Sequence, residues 1–158
     1  MANTQSMCTS FLGEVLTATH NFGTAPVRAS GVADTFKAAL YLASATINAS
    51  TTAYSSTGEV TGTNYTPGGV TVTNANAPLS SNTSATSGTG YWTPSASLTY
   101  TNVTLSTAFD AVLIYNSTQS DKAVSVHTFG SQTVTAGTFT LTMPSNTTST
   151  ALLRLATT

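Results

Sequence analysis

Apolar and polar positions alternate with two periods along this chain, and the change of period marks where its elements lie. Near the N-terminus Met7, Phe11, Leu12, Val15, Leu16 and Ala18 recur at spacings of three and four, the period of one helix face. The pattern predicts a helix over 7–22, capped by Ser6 and stopped by Gly23 just past Phe22. Residues 1–6 read as an arm, either reaching a neighbouring subunit or without order. From residue 34 the period falls towards two. The segment 34–42, with Phe36 and Tyr41, reads as a strand buried on at least one face. Residues 43–66 read as a polar Ser/Thr-rich excursion with a short strand near 59–61. Tyr65-Thr-Pro-Gly-Gly then makes a turn, and Val70-Thr-Val-Thr alternates as a strand. Residues 74–97 hold few apolar anchors besides Tyr91 and Trp92, and read as a loop too long to be a mere connector.

The second half gives five strand candidates, 100–105, 109–116, 122–129, 137–143 and 151–156, separated by turn chemistry at 106–107, 116–121, 130–136 and 144–150. Strands spaced about 8–14 residues apart with short turns are the sequence form of an antiparallel β-sandwich, jelly rolls included. The expectation is an all-β, jelly-roll-like antiparallel sandwich with one short N-terminal helix. It is read as a single domain over 1–158, with the sandwich spanning 34–157.

Composition sharpens this. Charged residues make up 6% of the chain, against about 25% in an ordinary domain, and Ser and Thr fill roughly a third of it. Thr suits a pleated surface, while Lys and Glu, which favour helix surfaces, are nearly absent. A net charge of -1 with four Lys and Arg in all argues against nucleic acid, whose phosphates need such residues. No basic amphipathic helix or polybasic patch points to a membrane, and no run approaches the ~18 apolar residues of a spanning helix. An almost uncharged surface protects weakly against self-association, which suits a protein partly covered by partners. The first residues lack a basic, apolar secretory pattern, so synthesis in the cytosol is expected. Cys8 stands alone, without a disulfide framework.

Candidate chemistry is sparse. His20 reads as a residue at the helix end and His127 as one on a strand face, and neither accompanies a nucleophile motif. Asp34 and Asp110 each precede an apolar strand. They are strand-end residues making turn or capping hydrogen bonds, or, as the sharper alternative, a carboxylate pair across a cleft. Asp121-Lys122 reads as the end of a hairpin turn. No His, Cys or acid spacing suits a metal, and the glycine pairs lack the Lys of a phosphate loop. No catalytic residue, cofactor or metal is expected. Tyr91-Trp92 reads as an anchor pinning the long loop, a protein contact or a sugar-stacking platform. With Met7 and Phe11 from the helix stripe, these four are the candidate partner contacts.

Two stretches carry a resemblance. Asp34-Thr-Phe-Lys-Ala-Ala-Leu-Tyr followed by Ala53-Tyr-Ser-Ser-Thr-Gly-Glu-Val-Thr-Gly-Thr-Asn-Tyr-Thr-Pro-Gly-Gly, and Ala111-Val-Leu-Ile-Tyr-Asn-Ser-Thr followed by Lys122-Ala-Val-Ser-Val-His-Thr-Phe-Gly, are similar to small structural proteins of tailed bacteriophages. The helix ending in His20-Asn-Phe fits the same pattern, and only 74–97 falls outside it. The resemblance implies a capsid cement (decoration) protein on the outside of the virion, whose partners are the major capsid protein and its own copies in a symmetric trimer or dimer. It brings no catalytic residues. A tail or neck adaptor, a receptor- or glycan-binding module and, remotely, an enzyme are the competing expectations.

Overall fold

A computed structural model describes residues 2–16, 18–22, 33–73, 76–82 and 87–157. The chain is an all-β antiparallel sandwich with one short helix, as the alternation predicts. The described strands are β1 (Ser6–Met7), β2 (Phe36–Leu42), β3 (Val70–Thr71), β4 (Leu79–Asn82), β5 (Gly88–Trp92), β6 (Leu98–Asn116), β7 (Lys122–Leu141) and β8 (Leu153–Ala156), with α1 spanning Thr9–Leu16. They form a five-stranded sheet, β1-β7-β6-β2-β3, and a three-stranded sheet, β4-β5-β8, rather than the two four-stranded sheets of a regular jelly roll. The buried apolar side chains form one cluster running from Cys8 to Leu153. Trp92 and Leu153 enter it from the small sheet, with the Trp92 ring 6.1 Å from that of Phe36 on β2.

Strands β6 and β7 dominate. The pattern predicts four strands here, with turns at 106–107 and 130–136; the structure has two long ones, paired from Asn116↔Lys122 to Leu98↔Leu141. Thr and Ser serve turns and strands equally, and here the ladder claims them. The irregularity appears instead as repeated register shifts, with Asn102 (φ 52) and Ala136 (φ 44) in the left-handed region. Bulges add twist and bend a strand, so the far limb curls back over the near one. Phe139 packs edge-on against Phe109, 5.0 Å between centroids, and the Tyr100 hydroxyl donates to Ala38 O on β2 at 2.7 Å. The expected hairpin turn before Lys122 is present, with Ser120 and Asp121 at positive φ.

Three expectations are corrected. The helix covers Thr9–Leu16, not 7–22. Residues Ser6 and Met7 pair with Val126 and Ser125 of β7, so Ser6 is no cap. The helix ends in a Schellman turn, where Ala18 (φ 54) donates to Val15 O and Thr19 to Glu14 O. The predicted Gly23 stop lies outside the described residues. The arm is held by the chain's own body. Thr4 N donates to Ile47 O, and the Asn3 amide reaches Leu42 O and Asp110. Finally, 74–97 is not one loop. It carries β4 and β5, which pair with each other and, through β5, with β8.

Candidate functional site

Helix α1 and the small sheet face each other across a groove of about 390 Å³, lined by Phe11 and Val15 from the helix, Phe22 behind it, and Leu79, Trp92 and Leu155 from the sheet. Spacing of four puts Phe11 and Val15 on one row of α1, and Leu12 and Leu16 on the next row outward. On the sheet, Gly90 pairs with Leu155 and Trp92 with Leu153, so alternation sets these four on one face. Gly90 leaves the floor open, since a Cβ built there meets nothing closer than Leu155 O at 3.8 Å. Four large apolar residues are exposed about this region: Leu16 at 89%, with Leu12, Leu79 and Leu155 about half exposed. No Asp, Glu, Lys or Arg lines the groove among the described residues.

Three of the four expected contact residues meet here. Phe11 and Trp92 are buried and form the floor, and Tyr91 is half-buried in the lining. Trp92 settles as the anchor of its segment. Its Nε1–H donates to Asn76 O at 3.0 Å, and its ring meets Phe22 at 4.7 Å between centroids. A stacking platform for sugar would present an open face; Trp92 is 3% exposed. Met7 is apart from the groove. It lines a second cleft of about 430 Å³ between β1, β7 and β8.

A polar network fixes the helix wall. The His20 side chain is fully buried, with its Nε2 2.8 Å from Glu14 Oε2. Lys122 Nζ donates to Glu14 Oε1 at 2.7 Å, the Asn116 amide contacts His20 Nδ1 at 3.0 Å, and Asp34 accepts from Asn116, Gln119 and the Asn21 N–H. Both ring nitrogens of His20 are engaged, which fits a neutral ring donating from Nε2 and accepting at Nδ1. Burial holds His20 below its ordinary pKa, outweighing the pull of Glu14. Burial pushes Glu14 up, yet the bonds from Lys122 and His20 outweigh it and leave the carboxyl below the usual range. His20 is therefore a packing residue, its ring tilted against that of Phe11 with 5.0 Å between centroids. Asp34 is a strand-end residue capping a turn. Asp110 lies by the opposite end of the β2–β6 pairing, which runs from Phe36↔Asn116 to Leu42↔Phe109. Six residues of strand, roughly 20 Å, separate those ends, so the two carboxylates do not share a cleft.

Two more groups stand out. The stretch 53–69, read as polar excursion and turn, is built around a buried carboxylate. Glu59 is 6% exposed and accepts from Tyr54 Oη at 2.6 Å, Tyr65 Oη at 2.7 Å and Gly68 N at 2.7 Å. Tyr65 Oη accepts in turn from Leu40 N on β2 at 3.0 Å. The glycines of this stretch let it lie against the sheet. At Gly69 (φ 73) a Cβ would overlap Ala38 O, and at Gly62 one would overlap Thr104 O. Acid, tyrosines and glycines crowded into one stretch of a charge-poor chain were the sequence sign of this clamp, and the reading missed it. In the second cleft Ser125 Oγ lies 2.9 Å from His127 Nε2, a pairing the sequence reading did not draw. No carboxylate lines that cleft among the described residues to orient the ring, Ser125 is buried, and burial lowers His127 to about 4. Burial also raises the Cys8 thiol to about 11, away from the reactive thiolate. Among the described residues no three His, Cys, Asp or Glu gather as metal ligands, and no helix is long and apolar enough to cross a membrane. The chain matches no protein-family model, no curated protein and no solved structure.

Proposed function

We propose that this chain is a decoration protein of a tailed-bacteriophage capsid, docking on the outside of the shell and bridging major capsid protein subunits through the groove between α1 and the small sheet. The observation that carries the reading is that groove: an open concavity without lining charges, beside four exposed leucines. Its occupant is an apolar segment of the shell protein. Covering an exposed Leu contributes up to about 1.5–3 kcal/mol, while association costs at least about 4 kcal/mol in lost freedom. One groove therefore binds modestly, and a symmetric shell engaging several copies together raises the avidity. The resemblance of 34–41, 53–69, 111–118 and 122–130 to phage structural proteins supports the setting, and the scarcity of charge favours contacts that tolerate salt.

The test is particle-based. Shells assembled without the chain should lose resistance to heat, and adding it back should restore it. Leu16→Asp with Leu155→Asp should abolish shell binding while leaving circular dichroism unchanged. Density confined to the neck or tail in electron cryo-microscopy, or shells equally stable with and without the chain, would overturn the reading.

A further inference from the structure

The far limb of β7 has a free edge. Strand β1 pairs with β7 only at Ser125 and Val126, and from 129 to 141 its ladder partner among the described residues is β6 alone. Free edges template pairing with other chains, and proteins blunt them with charges, prolines or bulges. The sequence 130–141 contains neither a charged residue nor a proline. Its blunting devices are bulges, one at 128–132 and a second at 134–137, where Ala136 N–H turns to Thr104 Oγ1. Beyond it the ladder is regular, Phe139, Thr140 and Leu141 pairing in consecutive register with Tyr100, Thr99 and Leu98.

A second observation falls at the same place. An apolar crevice of about 120 Å³ opens where the near and far limbs of the bent hairpin approach, lined by Phe129, Leu141, Met143 and Leu152 among others. Phe129, Phe139, Leu141 and Met143 are only half-buried. The sandwich is thus incompletely closed along the β7 side, next to an open strand edge.

We propose that the segment 137–141 pairs antiparallel with the same segment of a second copy, on a two-fold axis through Phe139, to make a dimer with one continuous sheet. The sequence is self-complementary in that register. Thr138 of each copy meets Thr140 of the other on the outer face, where both are exposed, and Phe139 meets Phe139 on the inner face. Thr–Thr and aromatic pairs are favourable cross-strand neighbours, and the absence of charge removes the repulsion that identical edges usually bring. A two-fold interface of this kind closes without propagating into a fibre. The proposal concerns the purified chain and stands independently of the shell-docking reading.

Sedimentation equilibrium over a concentration series is the test. The wild-type chain should be dimeric. T138K with T140K places like charges opposite one another twice and should raise the dissociation constant about tenfold or more, with circular dichroism unchanged. T57K, exposed and distant in sequence from the edge, should leave the dimer intact. Hydrogen exchange on the wild-type chain gives a readout free of mutation, because amides of 137–141 should gain protection as concentration rises. A wild-type monomer throughout, an oligomer indifferent to T138K/T140K, or protection of 137–141 only on adding shell protein would overturn the proposal, the last assigning the edge to a different partner.

Discussion

Replacing Glu59 with Ala should destabilise the fold more than any other single change to a polar side chain. The carboxylate accepts three hydrogen bonds, and two of the donors, Gly68 N–H and Tyr65 O–H, are in buried surroundings. Tyr54 is half-buried and can turn towards water. Leaving a buried donor without a partner costs about 1–3 kcal/mol, with charged acceptors at the upper end. Two such donors give about 3–5 kcal/mol, against a total stability of about 5–15 kcal/mol. Glu59→Gln keeps an oxygen for Tyr65 and Gly68 and offers its amide to Tyr54 Oη, which can accept instead of donate. That variant should lose only about 1–2 kcal/mol. Urea unfolding followed by Trp92 fluorescence separates the two through their midpoints, provided the slopes agree. An Ala variant within about 1 kcal/mol of the wild type, or a Gln variant as damaged as the Ala one, would refute the clamp.

Four further outcomes follow from the same geometry. Gly69→Ala combines a left-handed φ with overlap on Ala38 O, the acceptor of the buried Tyr100 hydroxyl, and should cost at least about 3 kcal/mol. Gly90→Ala has open space and should change the urea midpoint little. Trp92→Ala should lower stability by about 3–5 kcal/mol, visible as a lost cooperative melt in calorimetry; a variant that melts like the wild type would contradict its role as anchor. Acid should weaken the fold. Burial holds His127 at about 4 against about 6.5 when unfolded, so its contribution is complete above pH ~6.5 and drains by up to about 3 kcal/mol as pH falls towards ~4. His20 and Glu14, both lowered, act in the same direction. His127→Gln should flatten the fall in urea midpoint between pH ~6.5 and ~4; an unchanged slope would refute the assignment.

How much was legible follows from what each element depends on. Strand β2 and the near half of β6 announce themselves because continuous burial forces an apolar run, Phe36 to Leu42 and Phe109 to Tyr115. The helix was overextended because Ala18 and Phe22 continue its spacing by coincidence; Phe22 packs on Phe36 at 4.4 Å from beyond the Schellman turn. The segments 79–82 and 88–92 lack alternation because their order comes from partners, β8 at the far end of the chain above all. The groove could be half anticipated, since Phe11, Tyr91 and Trp92 are aromatic or apolar residues seeking a partner surface. That they would meet depended on β5 and β8 pairing, which no local pattern encodes.

The charge-poor composition takes on a more specific meaning once the buried polar groups are traced. Of the five acids, Glu59 binds the loop 53–69, Glu14 holds Lys122 and His20, Asp34 ties Asn21 to the β6–β7 turn, and Asp110 receives the Asn3 amide. Most charge is thus committed to internal bonds, and little remains to steer a partner electrostatically. Recognition on such a surface rests on shape, apolar cover and backbone or hydroxyl hydrogen bonds. The molecule offers those at the leucine-flanked groove and along the neutral edge of β7. Contacts of this kind form without long-range attraction but weaken little in salt, so many copies acting together must supply the strength that single contacts lack. On the proposed reading, a dimer presenting two grooves to a repetitive shell would meet that requirement with no charge added.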